Sequence, residues 1–233
     1  MVQFLISLLL CLMIFIPACY LVAGIFRTSQ QAQDNYSEFV KNLNDFQEHG
    51  QVGERKSNLL IMDEQTAIVY FEKGAQKVIV DVDAELLNKN YFIDLLKPGQ
   101  CEDTKNCVCL FRESRFEIDS SAEITLADII GKITVIPKKV ICTNLDYSLT
   151  VETCSIGKAV MVNSYTCSDG FMIERNLAKK ADFEKILAEN TLEKSETGSV
   201  WSYYEVPRRT VLYFIKEDSN TLHLIGNYGG TNE

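Results

Sequence analysis

Residues 2–26 read VQFLISLLLCLMIFIPACYLVAGIF and contain no charged side chain. Gln3 and Ser7 interrupt a run built mainly of Leu, Ile, Val, Phe, Met, Ala and Cys. At about 1.5 Å per residue, a helix of this length exceeds the roughly 30 Å hydrocarbon core of a bilayer. The stretch therefore predicts a transmembrane anchor over residues 1–27, with residues 2–26 in contact with lipid. It outruns the apolar core of a cleaved signal, and no Lys or Arg precedes it, which favours an uncleaved signal-anchor. Two alternatives are written into the same segment. Val22-Ala23-Gly24 is a small-residue cleavage site, and Ile16-Pro17-Ala18-Cys19 resembles a lipobox, although mostly apolar residues follow Cys19. Pro17 is tolerated inside a helix in lipid. Cys11 and Cys19 read as small apolar filler.

Outward from this segment, all 23 Lys and Arg and all 32 Asp and Glu lie beyond Phe26, so the rest of the chain carries the whole net charge of −9. That charge disfavours nucleic acid and anionic membrane surfaces as partners. Arg27 and Lys41 follow the apolar stretch, and taken alone they would hold the C-terminal part in the cytoplasm. Large domains cross membranes largely regardless of such a bias. The cysteines argue for the opposite side.

Thr28–His49 reads as an amphipathic helix, with Tyr36, Phe39, Val40, Leu43 and Phe46 on one stripe and Gly50 as its stop. Residues 28–50 are expected to form a stalk, or else to pack that stripe on the following domain. Asn35-Tyr36-Ser37 is a glycosylation-type triplet. Residues 51–233 then predict an α+β ectodomain with a β-rich core. Strands are expected at Leu59–Met62, Ala67–Phe71, Val78–Val82, Cys107–Phe111, Phe116–Ile118, Ile133–Ile136, Val140–Cys142, Ala159–Val162 and Phe171–Glu174. Thr210–Ile215 and Leu222–Ile225 predict a hairpin across Glu217-Asp218-Ser219-Asn220. Helices are expected at Ala84–Leu96, Ile124–Ile130 and Ala181–Asn190, which makes three or four short helices in all.

Six cysteines lie beyond the apolar stretch: Cys101, Cys107, Cys109, Cys142, Cys154 and Cys167. An even number placed in or beside loops reads as a disulfide framework, and hence as a domain outside the cytoplasm. Cys107 and Cys109 share a strand face if they lie on one strand, so a bond between them would be strained and each should take another partner. The expected pairs are Cys101–Cys107, Cys142–Cys154 and Cys109–Cys167. A metal site is the rival reading. The Cys-x5-Cys-x-Cys spacing is not that of a zinc knuckle, and His49 and His223 are distant in sequence, so neither metal nor cofactor is expected.

Catalytic motifs are missing: there is no His-Glu-x-x-His, no Gly-x-Ser-x-Gly and no phosphate-binding glycine loop. Trp201, Tyr203 and Tyr204 form the densest aromatic group, with Arg208 and Arg209 beside it. They read as core packing or as a partner-binding patch, since Tyr and Trp favour interfaces. His223, in the expected terminal strand, is expected to face solvent.

Two resemblances follow from these residues. The apolar helix, its amphipathic extension and a Cys-containing β-rich head are similar in plan to type IV pilin-like subunits, and Ile16-Pro17-Ala18 resembles a segment of their helices. The basic leader, its processing site and the early glutamate of that family are missing. Thr66–Phe71, Cys101–Phe111 and Phe171–Arg175, behind a hydrophobic N-terminus, resemble uncharacterised single-pass membrane proteins of small-genome archaea. That resemblance implies placement and no activity. The expectation is a membrane-anchored domain outside the cytoplasm that binds a protein or surface. A pilin-like filament subunit is the first alternative, and a metal protein or enzyme is the second.

Overall fold

The computed structural model describes residues 31–63, 66–84, 89–119, 129–151, 164–175 and 209–227. Helix α1 covers 31–49 and ends against Gly50, whose amide caps the carbonyl of Phe46 at 2.9 Å. The strands that follow are β1 (Arg55–Ile61), β2 (Thr66–Phe71), β3 (Lys77–Ala84), β4 (Lys89–Leu96), β5 (Asn106–Asp119) and β6 (Ile129–Leu145). The rest are β7 (Ser148–Val151), β8 (Ser164–Ser168), β9 (Gly170–Arg175), β10 (Arg209–Lys216) and β11 (Thr221–Asn227).

These strands make two sheets. Sheet A has the order β1-β10-β11-β7, and sheet B the order β8-β3-β4-β6-β5-β2-β9. β8 and β9 stand at opposite ends of sheet B, yet only Asp169 separates them in the chain. Neighbouring residues cannot be far apart, so the sheet must curl until its two ends meet. β8 and β3 accordingly lie against β9. The tight crossing places Asp169 at φ 66° and Gly170 at φ 148°.

β2 explains why sheet B has two cores. All six of its residues are buried, so it feeds side chains into both faces. Ile68 and Tyr70 point to the face covered by α1 and sheet A, where Val108, Leu110, Phe171 and Ile173 join them. Ala67, Val69 and Phe71 point the other way, in rows with Phe111, Cys109 and Cys107 of β5. The strand period of two sorts these sets. Along β10 the same period buries Thr210, Leu212, Phe214 and Lys216 and leaves Val211, Tyr213 and Ile215 partly open.

The stripe on α1 is buried: Tyr36, Phe39, Val40, Leu43 and Phe46 are all 7% exposed or less. Phe214 of sheet A meets Phe39 at 5.9 Å and Phe46 at 6.3 Å between ring centroids. The ammonium of Lys216 donates to the carbonyls of Gln47 and Gly50, at 2.5 and 3.0 Å, and so satisfies the helix end. A cation at this pole also suits the helix dipole. The helix is therefore part of the core and not a stalk.

Several expectations need correction. Among the described residues α1 is the single helix and the architecture is β-rich, so an α+β domain with three or four short helices is not what forms. Of the stretch expected as a helix over 84–96, Ala84 ends β3 and residues 89–96 form β4, which is hydrogen-bonded between β3 and β6. Apolar neighbours such as Ile93 and Leu95 fit a strand as well as a helix, and sheet pairing decides between them. Residues 129 and 130 of the second expected helix open β6. The strands expected at 133–136 and 140–142 are one strand running through Pro137, where the ladder skips Glu113 (φ 50°) and Lys138. No helix among the described residues is long and apolar enough to cross a membrane. Residues 2–26, the helix expected at 181–190 and the strand expected at 159–162 lie outside the described residues.

Candidate functional site

Four cysteines converge beneath the face of sheet B that looks away from α1. Cys107 and Cys109 project from the same face of β5, two residues apart. Cys142 stands directly opposite Cys109 on β6, with a Cα separation of 4.1 Å, and the two form a disulfide. Cys101 comes from the loop between β4 and β5 and is bonded to Cys107. The two bridges touch. Cys101 Sγ lies 3.3 Å from Cys109 Sγ, Cys107 Sγ lies 3.7 Å from it, and all four sulfurs fall within 4.8 Å of one another. Cys107 and Cys109 are fully buried, Cys101 is nearly so, and Cys142 is partly open.

The loop that delivers Cys101 is tied down by side chains. β4 pairs with β6 only as far as Val135, so the outer edge of β6 beyond it has no strand partner from β4. Gln100 takes that place: its carbonyl accepts from the amide of Cys142 at 3.1 Å, and its amide donates to the carbonyl of Val140 at 3.3 Å. On the other side of Cys101, Asn144 and Glu102 exchange two bonds, at 3.0 and 3.3 Å. Lys97, whose side chain is almost fully buried, donates to Glu102 O and to the Asp103 carboxylate. That hydrogen bond holds the Asp103 carboxyl below its ordinary pKa. Cys101 is thus positioned by a bond on each side of it in sequence, independently of its own disulfide.

The expected pairing is right for Cys101–Cys107 and for the lack of a bond between Cys107 and Cys109. Cys142–Cys154 and Cys109–Cys167 are overturned, because Cys109 and Cys142 take each other. Cys167, on β8 opposite Val80, is also disulfide-bonded. Cys154 lies outside the described residues. Sequence spacing missed the cluster because its fourth member is 33 residues from Cys109 and meets it only through the register of β5 and β6.

A second feature is the outer face of sheet A. Register places Leu59 beside Val211, and Tyr213 beside Ile225. Leu59 is 58% exposed on the edge strand β1, and Val211, Tyr213, Ile215 and Ile225 are partly exposed. The guanidinium of Arg55 lies 3.7 Å above the Tyr213 ring. Arg209 sits exposed at the rim, at the start of β10. Its companions in the expected patch, Trp201, Tyr203, Tyr204 and Arg208, lie outside the described residues. His223 is on this face too, partly buried, with Nδ1 2.9 Å from the Thr150 hydroxyl. A shallow crevice beside the start of α1 is lined mainly by apolar groups, Ala32, Leu60, Met62 and Ile68, together with the Asp63 carboxylate.

No protein-family model, curated protein or solved structure matches the chain.

Proposed function

We propose that this chain is a membrane-attached binding module, held outside the cytoplasm, that engages a partner protein through the outer face of sheet A. The observation that carries the reading is the row of apolar side chains on β1, β10 and β11. Leu59 is mostly open to solvent, and Val211, Tyr213, Ile215 and Ile225 are only partly covered. A contiguous apolar face with an aromatic centre and an arginine rim has the composition of a protein interface. Arg209 extends that rim, and Trp201, Tyr203, Tyr204 and Arg208 precede it in the sequence. Among the described strands β1 lies at the edge of sheet A, beside the patch.

The disulfides support a location outside the cytoplasm, because such bonds persist where no strong thiol buffer reduces them. The uncharged stretch 2–26 supports attachment to the bilayer.

The test uses the full chain in the membranes of the cells that make it. A photo-crosslinking side chain at Tyr213 should give one discrete adduct with a different protein, and the same group at Lys41, exposed on α1, should give none. Leu59→Asp should abolish the Tyr213 adduct while changing stability by no more than about 0.5 kcal/mol, as expected of an exposed site. An adduct with a second copy of the chain, or equal labelling at both positions, overturns the reading. Thiol titration of the unreduced, denatured chain checks the compartment: free thiols at Cys101, Cys107, Cys109 and Cys142 would contradict export.

A further inference from the structure

The four cysteines beneath sheet B can hold more than two disulfides. We infer that Cys101, Cys107, Cys109 and Cys142, once reduced, form a tetrathiolate site for a single zinc ion, so that the cluster has a bridged form and a metal-bound form. The inference does not rest on the binding face of sheet A.

Geometry carries the argument. A tetrahedral zinc with Zn–S of about 2.3 Å sets neighbouring sulfurs about 3.8 Å apart. The sulfurs of the two different bridges already stand 3.3 and 3.7 Å apart, and no pair of the four exceeds 4.8 Å. When the two S–S bonds break, the sulfurs of each bond need only separate to the same spacing. All four ligands are soft thiolates in a closed arrangement, which selects zinc over hard cations.

The backbone that presents the sulfurs does not depend on the bridges. Cys107 and Cys109 are held by β5, which is paired on both sides by β2 and β6. Cys142 is fixed by its register opposite Cys109. Cys101 is fixed by the Gln100 bonds to Val140 and Cys142 and by the Glu102–Asn144 exchange. Reduction therefore leaves four thiols facing one another in a buried site, and Cys142, the partly open member, gives the ion a way in.

The chemistry balances. Each disulfide takes up two electrons and two protons: two thiols supply both and leave as a disulfide, whereas a phosphine supplies the electrons and becomes its oxide while water supplies the protons and the oxygen. Two bridges give four thiols. Zinc then displaces four protons as four Zn–S bonds form and four S–H bonds break. Reversal requires a disulfide oxidant, one per bridge, which takes two electrons from each thiolate pair and is itself reduced to two thiols as the S–S bonds reform and the ion is released.

The test is run on the full detergent-solubilised chain. It is reduced with a phosphine, freed of reductant under anaerobic conditions and titrated with cobalt and then zinc. Reduced wild type should take up one cobalt with the spectrum of tetrahedral thiolate ligation, and zinc should displace it. Zinc should also protect Cys101, Cys107, Cys109 and Cys142 from alkylation, as mapped by mass spectrometry. The unreduced chain should bind no cobalt. Cys101→Ser should remove the tetrathiolate spectrum, and Cys167→Ser should leave it unchanged. Gln100→Ala keeps all four ligands and should weaken zinc by about tenfold, the usual effect of losing a supporting contact. No cobalt uptake by the reduced chain overturns the inference. So does uptake that survives Cys101→Ser unchanged, or protection that maps to cysteines other than these four.

Discussion

At the scale of single residues, Gly170 leaves no room for a side chain. It opens β9 directly after the crossing at Asp169 and adopts φ 148°, a conformation that side chains rarely take. A Cβ built there would lie 1.9 Å from the Tyr70 carbonyl oxygen and 2.7 Å from Val78 Cγ2. Both neighbours belong to paired strands and cannot retreat. Gly170→Ala combines backbone strain with a steric clash, and each costs on the order of 1–3 kcal/mol. The variant should unfold at markedly lower denaturant, with a stability loss of about 2–6 kcal/mol. Gly74 offers the contrast. It also has a positive φ, of 82°, but nothing lies within 4 Å of its Cβ position, so Gly74→Ala should show the strain alone. Equal losses at the two sites would mean that the ends of sheet B do not meet as described.

At the scale of elements, α1 separates a domain with a stalk from a domain that owns its first helix. Phe214 has no exposed surface and touches both Phe39 and Phe46. Phe214→Ala removes that contact, and truncating a buried phenylalanine costs about 3–5 kcal/mol. The melting temperature should fall by roughly 10 °C, and the helical circular dichroism of α1 should melt in the same transition as the sheets. A helix signal that outlasts the sheet transition would restore the stalk. The stripe from Tyr36 to Phe46 was legible in the sequence because its spacing fits one helical face. The β10–β11 hairpin was legible because turn residues separate two β-rich runs. β4 was not, because Phe92, Ile93, Leu95 and Leu96 satisfy two periods at once and only pairing with β3 and β6 decides. The cysteine cluster was half legible. That Cys107 and Cys109 share a face follows from strand geometry, whereas the pairing of Cys109 with Cys142 depends on a register between strands that no local pattern encodes.

At the scale of the whole molecule, three buried phenols tie α1 to both sheets. Tyr36 of α1 donates to the carbonyl of Val108 on β5 at 2.8 Å and lies 3.2 Å from the Thr143 hydroxyl. Tyr70 of β2 accepts from the amide of Leu149 on β7 at 3.1 Å, which links sheet B to sheet A. Tyr147, just before β7, donates to Asn44 of α1 at 2.9 Å. Burial disfavours the phenolate in each case. It raises Tyr36 and Tyr70 from 10.0 to about 12, and raises Tyr147 further in the same direction. In the unfolded chain these groups ionise at their ordinary value, so rising pH drains protons from the unfolded state first. The stabilisation is complete below about pH 10 and is lost as the pH climbs toward about 12. A two-unit shift corresponds to on the order of 2–3 kcal/mol per tyrosine. The domain should therefore hold its stability up to about pH 10 and then unfold steeply. Phenolate absorbance from these tyrosines should appear together with the loss of β-sheet signal, not before it. Tyr36→Phe keeps the ring and deletes the ionisable group, so its alkaline limb should be shallower than that of the wild type. An unchanged alkaline limb in that variant, or phenolate that develops in a still-folded chain, would mean that these tyrosines are not the closures between the layers.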